Sequence, residues 1–98
     1  MDYLVRIFKS VANERRVCIL ERLLRAKEQT LEEIVDHINI PYKTASRNLK
    51  ILEKAMLVKR QMRNGRVLYS LEDSPRLIFG RDILNMIKKR ALKRKRKQ

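Results

Sequence analysis

The stretch from Pro41 to Val58, PYKTASRNLKILEKAMLV, constrains the fold more than any other. Ala45, Leu49, Leu52 and Met56 recur at i, i+4, i+7 and i+11, one face of an α-helix of about 3.6 residues per turn. Lys43, Arg47, Lys50 and Lys54 keep the same spacing on the opposite face. A helix with these two faces must bury one side in a small core and leave a cationic row in water. Such a row can lie along phosphates.

The core available to that helix is limited. A chain of 98 residues builds one core of useful size, not two, so a single domain is expected over residues 1–90, followed by a basic tail over 91–98. The hydrophobic content of 44% is that of a globular protein. With no Trp, two Phe and three Tyr, the interior must be mainly Leu, Ile and Val.

Charge is distributed unevenly along the chain. Residues 1–40 hold seven basic and seven acidic side chains, whereas residues 41–98 hold eighteen and four, so the whole net charge of +14 lies in the second part. A field this one-sided attracts polyanions, nucleic acid first and an anionic membrane surface second. No run of about 18 apolar residues is present, so no membrane-spanning segment is expected. The N-terminus, MDYLVRIFKSVANERR, lacks the apolar run of a secretion signal. Cys18 is the single cysteine, which rules out an intramolecular disulfide and suits a reducing, cytoplasmic setting.

The remaining elements follow from periodicity and caps. Tyr3, Leu4, Ile7, Phe8 and Val11 form the stripe of a first helix ending near Ala12. Asn13 can cap a second helix through Leu24, with Val17, Ile19, Leu20, Leu23 and Leu24 inward and Cys18 expected as a small buried hydrophobe. Thr30-Leu31-Glu32-Glu33 has the form of a capping box and starts a third helix, with Leu31, Ile34, Val35 and Ile38 inward. Asn39, Ile40 and Pro41 break it, since proline lacks an N–H and disfavours the α conformation in the residue before it. Two helices joined by so short a break, the second basic outside, describe a helix-turn-helix.

From Leu57 the period becomes two. Val58, Arg60 and Met62, then Asn64-Gly65, then Val67, Tyr69 and Leu71 predict two strands around a type I′ turn. That register pairs Met62 with Val67 and Val58 with Leu71 on the core side, and sets Arg63 opposite Arg66 at the tip. Facing like charges are unfavourable unless an anion such as a phosphate lies between them; a splayed, solvated tip is the alternative.

Ser74 as cap and Pro75 at the first helical position open a last helix, with Leu77, Gly80, Ile83, Leu84, Ile87 and Ala91 as its stripe. The first and last helices offer more apolar surface than a core of this size is expected to absorb. Tyr3, Leu4, Ile7 and Phe8, with Leu77, Gly80, Ile83, Leu84 and Ile87, are therefore the candidates for a homodimer interface. The end, KKRALKRKRKQ, carries eight Lys or Arg in eleven residues, and its self-repulsion favours an extended tail.

This order of elements resembles the winged helix-turn-helix of the ArsR family of transcription regulators. FKSVANERRVCILERLL is similar to that family's ALADPTRLRILRLL opening, with Ala12, Asn13, Arg15, Ile19 and Leu20 in corresponding places. TASRNLKILEKAMLV is similar to STVSHHLKVLREAGLV through Thr44, Ser46, Leu49, Leu52, Ala55, Leu57 and Val58. The resemblance covers about residues 3–72. It implies a mostly α fold with a small β-hairpin, five helices and a two-stranded wing.

Three departures matter. Thr30 and Glu32 stand where many members carry metal-binding cysteines, and one Cys with one His cannot supply a soft-metal ligand set, so no metal or cofactor is expected. Met56 replaces the motif's usual glycine. Pro41 stands where a serine cap is common, leaving that helix start without a side-chain cap.

The resulting expectation is a homodimeric regulator of double-stranded DNA, more a repressor than an activator, with residues 42–54 in the major groove. Lys43, Thr44, Ser46 and Arg47 would lie nearest base edges, with Arg47 matched to guanine; Tyr42, Lys50 and Lys54 would meet backbone. Arg63, Asn64 and Arg66 on the wing would reach phosphates or a minor groove. Rival readings are an RNA-binding or ribosome-associated winged helix, and a basic face for an acidic protein partner. An enzyme is not expected: no Ser-His-Asp or Cys-His arrangement stands out, and Gly65 and Gly80 alone cannot make a phosphate loop.

Overall fold

The last helix folds back over the first two, and this return closes the core. The computed structural model describes residues 2–73 and the backbone of 78–96, with side chains from 79 to 93 in the latter stretch. In order the elements are α1 (Tyr3–Val11), α2 (Glu14–Ala26), β1 (Glu28–Gln29), α3 (Leu31–Ile38), α4 (Tyr42–Lys54), β2 (Val58–Arg63), β3 (Arg66–Leu71) and α5 (Ile78–Arg96). The expected caps at Ser74 and Pro75, and the interface candidate Leu77, lie outside the described residues.

Local chemistry sets most boundaries. Asp2 caps α1 by accepting from the backbone N–H groups of Leu4 and Val5. Asn13 caps α2 through Arg16 N–H at 3.2 Å. At α3 the capping box is complete: Glu33 N–H donates to Thr30 Oγ1 at 3.2 Å and Thr30 N–H to Glu33 Oε1 at 2.9 Å. Those hydrogen bonds, backbone first, hold the Glu33 carboxyl below its ordinary range against the opposing effect of burial, with Arg66 and Arg22 adding to the lowering. Asn39 ends α3 in the left-handed conformation, φ 59°.

The core is built from Ile7 of α1, Ile19, Leu20 and Leu23 of α2, Ile34 of α3, Leu49 and Leu52 of α4, then Ala55, Leu57 and Val58, closed by Ile83, Leu84 and Ile87 of α5. Ile83, Leu84 and Ile87 of the α5 stripe, named as candidate partner surface, are packed in this chain's own core, and Gly80 is buried with them. Ile7 is likewise fully buried. Periodicity marks the side of a helix that avoids water, and here α2 covers that side. Helix α5 continues to Arg96, so residues 91–96 extend it rather than forming the extended segment expected.

The hairpin pairs Val58 with Leu71, Met62 with Val67 and Arg63 with Arg66, the register expected. Asn64 (φ 53°) and Gly65 (φ 75°) both adopt the positive φ that a type I′ turn demands. Met62, however, is 73% exposed: the hairpin tip projects beyond the body, and the part nearer its base, at Val58, Tyr69 and Leu71, reaches the core. A third strand joins the expected two. β1 pairs antiparallel with β3, Glu28 opposite Ser70 and Gln29 opposite Tyr69, giving the order β1-β3-β2.

Candidate nucleic-acid interface

Helix α4 presents the surface that the charge pattern pointed to. Ala45, Asn48, Leu49 and Leu52 turn inward and are buried, while Tyr42, Lys43, Arg47, Lys50 and Lys54 are exposed and Thr44 and Ser46 half-buried. Met56 does not extend the buried row. The helix stops at Lys54, and Met56 is exposed in the left-handed region at φ 60°.

That termination is a Schellman motif. Leu57 N–H donates to Leu52 C=O at 3.0 Å and Met56 N–H to Glu53 C=O at 2.9 Å, while the buried Leu57 and Leu52 belong to the same core. The motif forms with a methionine where glycine would be unstrained. At the other end Pro41 supplies no side-chain cap, so the first N–H groups of α4, at Tyr42 and Lys43, lack a side-chain acceptor. Such a helix start is favourable to an anion.

Ion pairing separates the cations into two groups. Lys59 pairs with Asp73 at 3.1 Å, Arg63 with Glu28, and Arg90 with Glu21. Lys59 holds the Asp73 carboxyl below its ordinary range, by hydrogen bond and by charge. Among the described residues no cation of α4 has an acidic partner. The wing is different from what the sequence implied: the anion beside Arg63 is Glu28 of the edge strand β1, a residue the hairpin pattern could not bring into view. Asn64 and Arg66 remain exposed at the tip.

A groove of about 700 Å³ runs between α3, the start of α4 and the hairpin, lined in part by Tyr42, Ser46, Arg60, Arg66 and Tyr69. Strand alternation puts Arg60 on the same side as Val58 and Met62, so its sequence position gives no sign of a place at this surface. The strand twists away from the body, and Arg60 stands exposed beside Tyr42 and Ser46 in that groove. Glu32 and Asp36 occupy the α3 side of the groove, so the favourable path for a phosphate backbone is along α4 and the wing rather than along α3.

One other expectation changes. Cys18 is exposed, not buried, in a shallow groove with His37 and Arg25. Arg16 holds the α1–α2 corner: its guanidinium donates to the carbonyls of Lys9 and Ser10 and to Asn48 Oδ1, while the neighbouring Arg15 is exposed. Among the described residues no three His, Cys, Asp or Glu side chains gather as a metal site, and no helix is long and apolar enough to cross a membrane.

The family model for the helix-turn-helix domain matches residues 11–61, just over half of the chain and all of the helix-turn-helix geometry. The chain belongs to the helix-turn-helix domain family. Solved structures extend this to the winged form of the fold. The homodimeric winged helix-turn-helix DNA-binding domain of a possible ArsR-family transcriptional regulator from Mycobacterium bovis is 26% identical, with 93% of this chain and 77% of that chain covered and a TM-score of 0.75. HlyU from Vibrio cholerae is 27% identical over 98% and 94% of the two chains, with a TM-score of 0.73. The transcriptional repressor PagR of Bacillus anthracis, at 21% identity over 86% and 87%, shares the fold with a TM-score of 0.70. No match is found among curated proteins. This helix-turn-helix chain thus has the five helices and hairpin wing of ArsR-like, DNA-binding transcription regulators.

Proposed function

We propose that this protein is a homodimeric regulator that binds specific double-stranded DNA and acts as a repressor by occupying promoters. The observation that carries the reading is the row Lys43, Arg47, Lys50 and Lys54, without acidic partners among the described residues, beside an uncapped helix start on a winged helix-turn-helix frame. Helix α4 enters a major groove with its first turns deepest. Lys43, Thr44, Ser46 and Arg47 face base edges, Arg47 reads guanine through its fork of donors, and Tyr42, Lys50 and Lys54 meet phosphates. Asn64 and Arg66 at the wing tip, with Arg60 behind them, extend the contact to the neighbouring backbone or minor groove.

Pairing of two copies is supported by what the core leaves uncovered. Leu4, Val5 and Phe8 of α1 and Phe79 and Met86 of α5 are exposed, and α1 packs on α5, so these residues offer apolar surface on adjoining helices. The Mycobacterium bovis domain, described as homodimeric, has the same fold. Of the candidates named from sequence, Leu4 and Phe8 keep enough exposure to meet a partner, while Ile7, Ile83, Leu84 and Ile87 would support them from below.

Selection from random duplexes with the purified chain tests this reading, followed by competition of the selected duplex against structured RNA at matched salt. A preferred duplex with two related half-sites is the expected result. Equal retention of all polyanions, or preference for RNA, would overturn it.

A further inference from the structure

The arrangement around Arg16 joins two surfaces that the proposed function uses separately. From the first turn of α2, its guanidinium donates through Nε to Ser10 C=O and through Nη2 to Lys9 C=O at 3.2 Å. These are carbonyls of the last turn of α1, which lack helical partners, and a cation there also suits the negative end of the helix. The remaining nitrogen, Nη1, donates to Asn48 Oδ1 at 3.0 Å. Asn48 is 7% exposed, lies in the middle of α4 and directly follows Arg47.

An asparagine here is not what helix propensity or core packing would select. Its side chain competes with helical backbone, and a buried amide must find partners. A leucine would continue the Ala45, Leu49, Leu52 row. The planar fork of one arginine can hold two helices at a fixed separation because its donors are set by one rigid group. One such group therefore ties the end of α1, the helix that carries Leu4 and Phe8, to the inward face of α4 behind the cationic row.

We infer that Arg16 and Asn48 are positioning residues that fix α4 relative to α1 and thereby set the half-site spacing a dimer accepts. The inference rests on the homodimeric, DNA-binding reading above. In a symmetric dimer the separation of the two reading helices is determined by how each is held to its own pairing surface. Loosening that link lets each α4 shift without changing which bases it reads. Spacing discrimination then falls while base preference within a half-site stays.

The test uses duplexes carrying the selected half-sites with spacers shortened or lengthened by one or two base pairs. Asn48→Asp keeps an oxygen for Arg16, Asn48→Leu removes it at similar volume, and Arg16→Lys keeps the charge without the fork. Wild type and Asn48→Asp are expected to prefer one spacing by about tenfold, as misplaced contacts cost on this order. Asn48→Leu and Arg16→Lys should fall to about twofold with half-site base preference unchanged. Thermal melting establishes that each variant is folded, and Arg16→Lys decides the matter should Asn48→Leu fail to fold. A folded Asn48→Leu or Arg16→Lys that keeps the wild-type spacing preference overturns the inference, as does a wild type that reads half-sites at every spacing alike. A wild type that selects no duplex overturns the functional reading, and this inference with it.

Discussion

Glu28 on the edge strand holds Arg63 at the wing with both carboxylate oxygens, Nη1 donating to Oε1 at 3.2 Å and Nη2 to Oε2. The cross-strand repulsion between Arg63 and Arg66 is thereby relieved inside the chain, and a cation that could have met DNA is already matched. Glu28→Gln should release it: binding to every duplex tightens, and the dependence of log affinity on log salt steepens by about one. Fold stability should change by about 1 kcal/mol or less, because the pair is exposed. Arg63→Ala alone should change binding little, yet cancel the gain in the Glu28→Gln background. A double-mutant cycle of binding titrations across a salt series checks both statements.

Arg47 and Lys50 should behave differently although both are exposed cations on one helix face. Arg47→Ala is expected to cost about 1–3 kcal/mol on the preferred duplex and to relax base choice at one position per half-site. Lys50→Ala should weaken all duplexes alike and lower the salt slope by about one. Repeating the selection with each variant distinguishes them; an unchanged selected sequence for Arg47→Ala would remove the base-reading role from that residue.

Met56 is strained by its φ of 60° and, at 45% exposure, gives little to the core in return. Met56→Gly should therefore stabilise the domain by about 0.5 kcal/mol, the relief of left-handed strain exceeding the added freedom of the unfolded chain. Met56→Ala keeps the strain and loses contacts, so it should be less stable than Met56→Gly. Denaturant melts of the three proteins give the order.

Glu33 links stability to pH. Its carboxyl is held below the ordinary value of 4.5 in the folded state by Thr30, so its contribution is complete above that value. It fades as pH falls from there through the lowered folded value. Glu33→Gln should be less stable than wild type at neutral pH by about 0.5 kcal/mol, a modest figure because the residue is exposed. The two melting curves should converge as the pH is lowered; a gap that persists in acid would separate the effect from ionisation.

The sequence made the elements legible where the cause is local. The Thr30–Glu33 box, the Asn64-Gly65 turn and the alternating faces of α4 each depend on neighbours within a few positions. Contacts between distant residues left no such trace. Glu28-Gln29 is too short to show a period, so β1 and its hold on Arg63 became visible only through pairing with β3. Arg16 and Asn48 are 32 positions apart, and a polar residue on a helix's inward row gives no sign of its partner. The stripe of α5 shows the same limit in another form: hydrophobic spacing at Ile83, Leu84 and Ile87 identifies a side to be covered, not what covers it. Cys18 is exposed although Ile19 and Leu20 beside it are buried, because adjacent positions on a helix point in different directions.

Three residues separate α4 from β2, and two of them, Ala55 and Leu57, are fully buried and hydrogen-bonded back to the helix. Helix and hairpin are thereby joined without slack, like the jaws of a caliper clamped at one opening. A curved or underwound target cannot be met by swinging the hairpin alone. Either the nucleic acid bends to the gap, or the entire domain rolls around it.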